Sequence, residues 1–189
     1  MSDFLHIKIP IEEGEVLLHT CCAPCSGAII ECLLNNGIRP TVFYSNSNIY
    51  PLKEYETRRD ECIRYAEYNG LKVVEDKYDH NQWKCMIKGL EGEPERGRRC
   101  LQCFRFRLER AARYAQENGY KVLTTTLASS RWKNLEQINS AGEYACSLYP
   151  DVEWWSQNWR KGGLQERRCR IIKEQNFYNQ LYCGCEFSI

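Results

Sequence analysis

The chain has 189 residues and a formal net charge of +1, with 43% hydrophobic and 27% charged residues, which excludes a disordered chain and offers none of the bulk basic charge of a nucleic-acid binder. The length suits one domain with its own buried core. Twelve cysteines would fit a small secreted disulfide scaffold, but the N-terminal stretch MSDFLHIKIPIEEGE is acidic where a signal peptide is basic and apolar, and no apolar run approaches the roughly 20 residues that span a bilayer.

In chain order, Glu15–His19 (EVLLH) reads as a buried strand and runs straight into a cysteine loop, Cys21–Ser26. Gly27–Asn35 reads as a helix, with Pro24 delaying its start and Asn36-Gly37 stopping it. Thr41–Tyr44 is a second strand; a polar loop, Ser45–Pro51, then opens a helix over Leu52–Tyr68 that stops at Asn69-Gly70. Leu71–Val74 is a third strand. Gln102–Gln116 is a charged helix stopped by Asn118-Gly119, Tyr120–Leu123 a fourth strand, and Thr124–Ser130 a hydroxyl-rich loop. Leu135–Leu148 is another helix and Val152–Trp155 a last strand.

Strands alternating with helices imply an α/β fold with a parallel sheet flanked by helices. Residues 1–189 are expected to form a single domain, with 156–189 as a helical C-terminal extension packed on it. Ligand sites in such sheets lie beyond the carboxyl ends of the strands. There the chain places Cys21–Ser26, Ser45–Pro51, Asp76–Trp83 and Thr124–Ser130.

The thiols are not spread evenly. Cys21, Cys22 and Cys25 fall between a strand and a helix N-terminus, whose free N–H groups favour thiolate, the form that binds soft metals and iron–sulfur clusters. Cys100 and Cys103 lie one turn apart at a helix start, beside Arg98 and Arg99, whose charge would offset that of a cluster. The adjacent Cys21-Cys22 doublet points to two neighbouring metal sites, or to one ligand and one reactive thiol; a structural zinc site from two Cys pairs is the alternative. Cys183-Gly184-Cys185 is either a reducible disulfide pair, a metal pair or two buried thiols. Cys32, Cys62, Cys146 and Cys169 have no thiol neighbours in sequence and read as core or surface residues.

The runs His19–Ser26, Tyr44–Pro51 with Glu54, Tyr55 and Arg58, Tyr78-Asp79 with Trp83, Gly97–Phe104, Thr125–Leu127 and Tyr182–Cys185 together resemble the QueH-type epoxyqueuosine reductases over nearly the whole chain. The resemblance implies an oxidoreductase that reduces the epoxide of epoxyqueuosine to queuosine at the wobble position of the tRNA anticodon. It implies a 4Fe–4S cluster with a further iron close by, no cobalamin, and the HUP-like fold of the PP-loop ATP pyrophosphatases. In that fold a Gly/Ser-rich phosphate loop normally follows the first strand; here Cys21–Ser26 takes its place and no Ser-Gly-Gly-x-Asp-Ser run exists, which argues against ATP use.

On this reading Cys22, Cys25, Cys100 and Cys103 are the leading cluster ligands. Cys21 and Asp79 are candidates for the second iron, a carboxylate suiting a metal that must bind oxygen, with a helix cap as the other role for Asp79. Tyr78 or His80 would deliver a proton. Electrons would come from an external donor, in the cytoplasm. For tRNA, Arg96, Arg98, Arg99, Arg105, Arg107, Arg110 and Arg113 form one basic stretch, and Arg160, Lys161, Arg167, Arg168 and Arg170 another. Trp154, Trp155, Trp159 and Tyr149 could stack on splayed bases. Against these stand a solvated helix face with pairs such as Arg105–Glu109, and core packing of at least one tryptophan. The competing functions are an ATP-using or sulfur-transferring tRNA enzyme on the same fold, and a zinc-stabilised RNA-binding module.

Overall fold

The computed structural model describes residues 5–11 and 14–188. Five parallel strands form one sheet: β1 (Val16–Thr20), β2 (Thr41–Tyr44), β3 (Val73–Glu75), β4 (Val122–Thr125) and β5 (Glu153–Trp154), in the order β3-β2-β1-β4-β5. The central strand β1 pairs with β2 (Leu18 opposite Val42) and with β4 (Leu18 opposite Thr124). Helices cover both faces, so every residue of β1, β2 and β4 is buried and none of these strands alternates apolar with polar.

The helices are α1 (Ala23–Asn35), α2 (Leu52–Tyr68), α3 (His80–Met86), α4 (Arg98–Glu117), α5 (Leu135–Ser147) and α6 (Leu164–Glu174). In α4 the buried set Phe104, Leu108, Ala111, Ala112 and Ala115 recurs at helical spacing, so this charged helix keeps one apolar face for the core. In α5, Gly142 lies against Trp154, whose ring a Cβ there would meet at 2.2 Å. No helix among the described residues is long and apolar enough to cross a membrane.

Several boundaries depart from the sequence reading for identifiable reasons. The helix expected from Gly27 begins at Ala23, because Pro24 occupies its first turn, where a missing N–H costs nothing, and so starts the helix instead of delaying it. The strands expected from Leu71 and Tyr120 begin two residues later. Leu71 N–H donates to Ala66 O at 3.0 Å and Tyr120 N–H to Ala115 O at 2.9 Å, so these apolar residues close the preceding helices. Gly70 and Gly119, at φ +65° and +80°, permit those closures. The segment expected to be a loop over Asp76–Trp83 contains the start of α3, a helix too short to show a periodicity.

Candidate metal centre and cavity

The Cys21–Ser26 turn follows β1 at the carboxyl edge of the sheet, and α1 rises directly from it. Cys22 is the N-cap of α1, and its side chain makes no capping bond, which leaves the sulfur free for other partners. The carbonyl of Cys22 accepts from the N–H groups of Cys25 and Ser26, both at 3.2 Å, so one tight turn stacks the sulfurs. The ligand atoms of Cys21, Cys22 and Cys25 lie within 4.8 Å of one another, and all three residues are buried. The Cys21 and Cys22 sulfurs are 3.8 Å apart. Three sulfurs at this spacing can ligate one metal ion.

The surroundings hold this triplet from several sides. Thr126 Oγ1 accepts from Cys21 N–H at 3.1 Å and donates to Cys21 Sγ at 3.4 Å. Gln180 Nε2 donates to Cys22 Sγ at 2.9 Å. Hydrogen bonds from the Cys22 and Cys25 thiols hold Cys21 well below the ordinary thiol range, and the nearby charges of Lys133 and Arg107 act in the same direction. The same contacts push Cys22 up. One of the three sulfurs therefore carries negative charge in preference to the others. Beneath them, His19 bonds Thr125 Oγ1 at 2.7 Å and Ser45 O at 3.1 Å, and burial drives its pKa down to about 3. That neutral ring ties together the ends of three strands.

Cys100 and Cys103 lie in the first turns of α4, which starts at Arg98, earlier than the sequence indicated. Cys100 Sγ accepts from Arg96 N–H at 3.2 Å. Cys103 packs with Trp83, Ile87 and Cys185, and burial raises its pKa. Both cysteines face the same cavity as the triplet, a space of about 570 Å³ that Cys183 and Cys185 also line. Seven thiols from three distant parts of the chain thus border one chamber, and all are free.

The other residues singled out from sequence fall into two groups. Asp79 caps α3, accepting from Gln82 N–H at 2.9 Å, and is not among the residues lining the cavity; neither are Tyr78 and His80. Tyr78 OH donates to Ile49 O at 2.8 Å, and His80 bridges Ser47 O and Glu186. Arg99 and Arg107 line the cavity but are buried: Arg99 donates to the carbonyls of Glu91 and Glu93, and Arg107 to Asn46 Oδ1 and Ser45 O. Arg98 pairs with Glu93, and Arg167 forks onto Glu31 and Glu174. Arg105 lies 4.8 Å from the Tyr144 ring centre, and the ion pairs among the described residues do not include Arg105–Glu109. Arg168 reaches the cavity wall with its Nε unpartnered.

Trp155 and Trp159 are buried against each other edge-on, 5.6 Å between centres, and Trp154 is half-buried under α5. On the cavity rim Trp132 does stand free, 80% exposed. Its backbone is held by Arg96, which donates to the carbonyls of Trp132 and Arg131 at 2.8 and 3.2 Å. The sequence carried a signal for it in the basic–aromatic–basic run Arg131-Trp132-Lys133, just past the fourth strand. Lys133 is half-buried and lines the same wall; the facing Cys183, Cys21 and Cys25 raise its pKa even though burial opposes the charge.

Comparison with known proteins agrees with this chamber of thiols. The family model described as epoxyqueuosine reductase QueH matches residues 16–189. The chain is 49% identical over 185 residues to the epoxyqueuosine reductase QueH of Acinetobacter baylyi, covering 98% of this chain and 85% of that protein. It is 48% identical to that of Histophilus somni (97% and 75% covered) and 36% identical to that of Thermotoga maritima (93% and 91%). The cavity of cysteines at the carboxyl edge of this sheet is therefore that of a QueH epoxyqueuosine reductase, the family to which the chain belongs.

Proposed function

We propose that this protein reduces the epoxide of epoxyqueuosine to the alkene of queuosine at the wobble position of a tRNA anticodon, in the cytoplasm and without cobalamin. The observation that carries the reading is the convergence of Cys21, Cys22, Cys25, Cys100 and Cys103 on one cavity. Their all-sulfur chemistry fits an iron–sulfur centre. In this reading Cys22, Cys25, Cys100 and Cys103 hold a 4Fe–4S cluster and Cys21 serves an adjacent iron, while Asp79 keeps its place as the cap of α3. When bound, such a centre supplies electrons singly and a Lewis acid for the epoxide oxygen.

The chain's own residues do the rest. Loss of the oxygen takes two electrons and two protons, and yields alkene and water. Cys183 and Cys185 can release two electrons and two protons on closing to a disulfide, and an external donor would restore the thiols. Lys133 places a cation by the sulfurs and favours their anionic form. Trp132 at the rim offers a stacking surface for an anticodon base, and Arg96, Arg168 and Lys133 offer charge to the backbone beside it. The sheet order β3-β2-β1-β4-β5 supports the HUP-like assignment, with 156–189 as an extension that lays α6 along α1 in a single domain.

The test is anaerobic incubation of iron-loaded protein with epoxyqueuosine-bearing tRNA and a reductant, followed by nucleoside mass spectrometry. Conversion to queuosine is expected; an intact epoxide, or a colourless protein that binds only zinc, overturns the reading.

A further inference from the structure

The first five residues of the loop after β2 are buried: Ser45, Asn46, Ser47, Asn48 and Ile49 are each no more than 2% exposed. A buried polar loop persists because its groups find partners. Ser45 Oγ donates to Asp76 at 2.6 Å. Asn46 Nδ2 donates to Thr20 O at 2.9 Å while its Oδ1 accepts from Arg107. Ser47 Oγ accepts from Asp79 N–H at 3.0 Å, and Ile49 O accepts from Tyr78 OH at 2.8 Å. The loop is thus fixed from both sides, and Asn48 cannot swing away to find a partner elsewhere.

Asn48 is the exception in this set. Its side chain is 1% exposed, its Oδ1 is buried without any hydrogen-bond donor, and it lines the cavity with Cys21, Cys22 and Cys25. Its neighbours on the wall do not satisfy it, for Ile49 is apolar and thiols are weak donors. What it lacks is an O–H or N–H donor supplied from inside the cavity.

We propose that Asn48 is a specificity-determining residue that hydrogen-bonds the hydroxyl groups on the epoxide-bearing ring of the substrate. This rests on the proposed function and deepens it. A hydroxyl donates to Oδ1, and the amide N–H₂ can donate to a second oxygen of the same ring. The contact fixes the ring at the end of the chamber that holds the cysteine triplet. It also rejects a wobble nucleoside without the ring, which leaves the amide unpaired.

The test compares the iron-loaded protein with Asn48→Leu, a near-isostere without the amide, and with Asn48→Ala. Affinity is measured for two tRNAs, one carrying epoxyqueuosine and one carrying the 7-aminomethyl-7-deazaguanosine that has the amine but no ring. The unsubstituted protein is expected to prefer the first by about tenfold; in both variants that preference collapses, affinity for the second tRNA stays level and iron content is unchanged. Equal affinity of the unsubstituted protein for the two tRNAs, survival of the preference in either variant, or loss of iron would overturn the assignment. Nucleoside mass spectrometry on the unsubstituted protein reads the function separately: an active enzyme whose preference survives the substitutions sinks Asn48 alone.

Discussion

Cys21, Cys22 and Cys25 reach the cavity from the junction of the central strand and α1, where every residue from Val16 to Ile30 is buried. Cys183 and Cys185 reach it from a stretch after α6 that holds no regular element until the short 3₁₀ turn at Glu186–Ser188. What secures the second pair is mainly one side chain: Arg58 donates to the carbonyls of Cys183 and Tyr182 at 3.1 and 3.2 Å, lies over the Tyr182 ring and pairs with Glu54. Tyr50 N–H adds a bond to Gly184 O at 2.9 Å, and Gly184, at φ +109°, sits where a Cβ would strike Ile49 at 2.9 Å. Sulfurs built into the core suit a ligand platform that must not move. Sulfurs on a pinned tail suit chemistry in which two thiols must approach and separate.

The contrast breaks first at the platform. Cys22→Ala or Cys103→Ala should lose iron and abolish epoxide reduction, a deficit beyond the roughly 10–100-fold of outer-shell changes; full iron content with normal turnover would remove these cysteines from the centre. At the tail, Cys183→Ser should keep its iron, measured by metal analysis, yet lose about tenfold or more in steady-state turnover, because one thiol cannot close a disulfide. If both sets lose iron alike, the distinction between platform and arm disappears. Arg58→Met should act on the arm alone. It removes two backbone hydrogen bonds and leaves Glu54 with the Tyr178 hydroxyl as its remaining partner, so melting should fall by several degrees. Burial pushes the Cys185 thiol up to about 12, and a released tail should raise its alkylation rate by about tenfold or more.

The platform was legible in the sequence because its signal is local: Cys-Cys-Ala-Pro-Cys at a strand–helix junction, and a pair one turn apart in a helix. The parallel sheet was legible from apolar runs separated by helix stops. What could not be read was which cations and rings the fold consumes. Arg99 and Arg107 look like their neighbours in sequence, but the helical repeat turns them inward onto carbonyls. Trp155 and Trp159 looked available beside a basic run and are core, whereas Trp132 in a short loop is free. Trp132→Ala should therefore weaken tRNA binding by about tenfold, within the range of one lost base stack, and leave turnover of the isolated nucleoside unchanged. Raised salt should weaken tRNA binding steeply in both proteins; a flat response would remove the phosphate contacts from the interface.

The smallest effect separates structural charge from RNA-binding charge on the extension. Arg167 donates to both oxygens of Glu31 on α1, at 2.6 and 2.7 Å, and to Glu174 two turns along the same face of α6. A partly exposed forked pair of this kind contributes about 1 kcal/mol. Arg167→Ala should therefore lower melting by about 2–4 °C, while tRNA affinity at fixed salt stays as it was. Hydrogen bonds from Arg167 hold the Glu174 carboxyl below its ordinary 4.5. Its share of the stability is complete above that value and is lost as the pH falls through the lowered one, so the gap in melting temperature between the two proteins should narrow in acid. Arg168, one residue on, faces the cavity with an unpartnered Nε, and Arg168→Ala should give the reverse pattern, with tRNA affinity reduced and melting unmoved. A shared pattern for the two would mean that α6 presents its charges as one patch, and that the pairing with α1 does not decide which of them meets RNA.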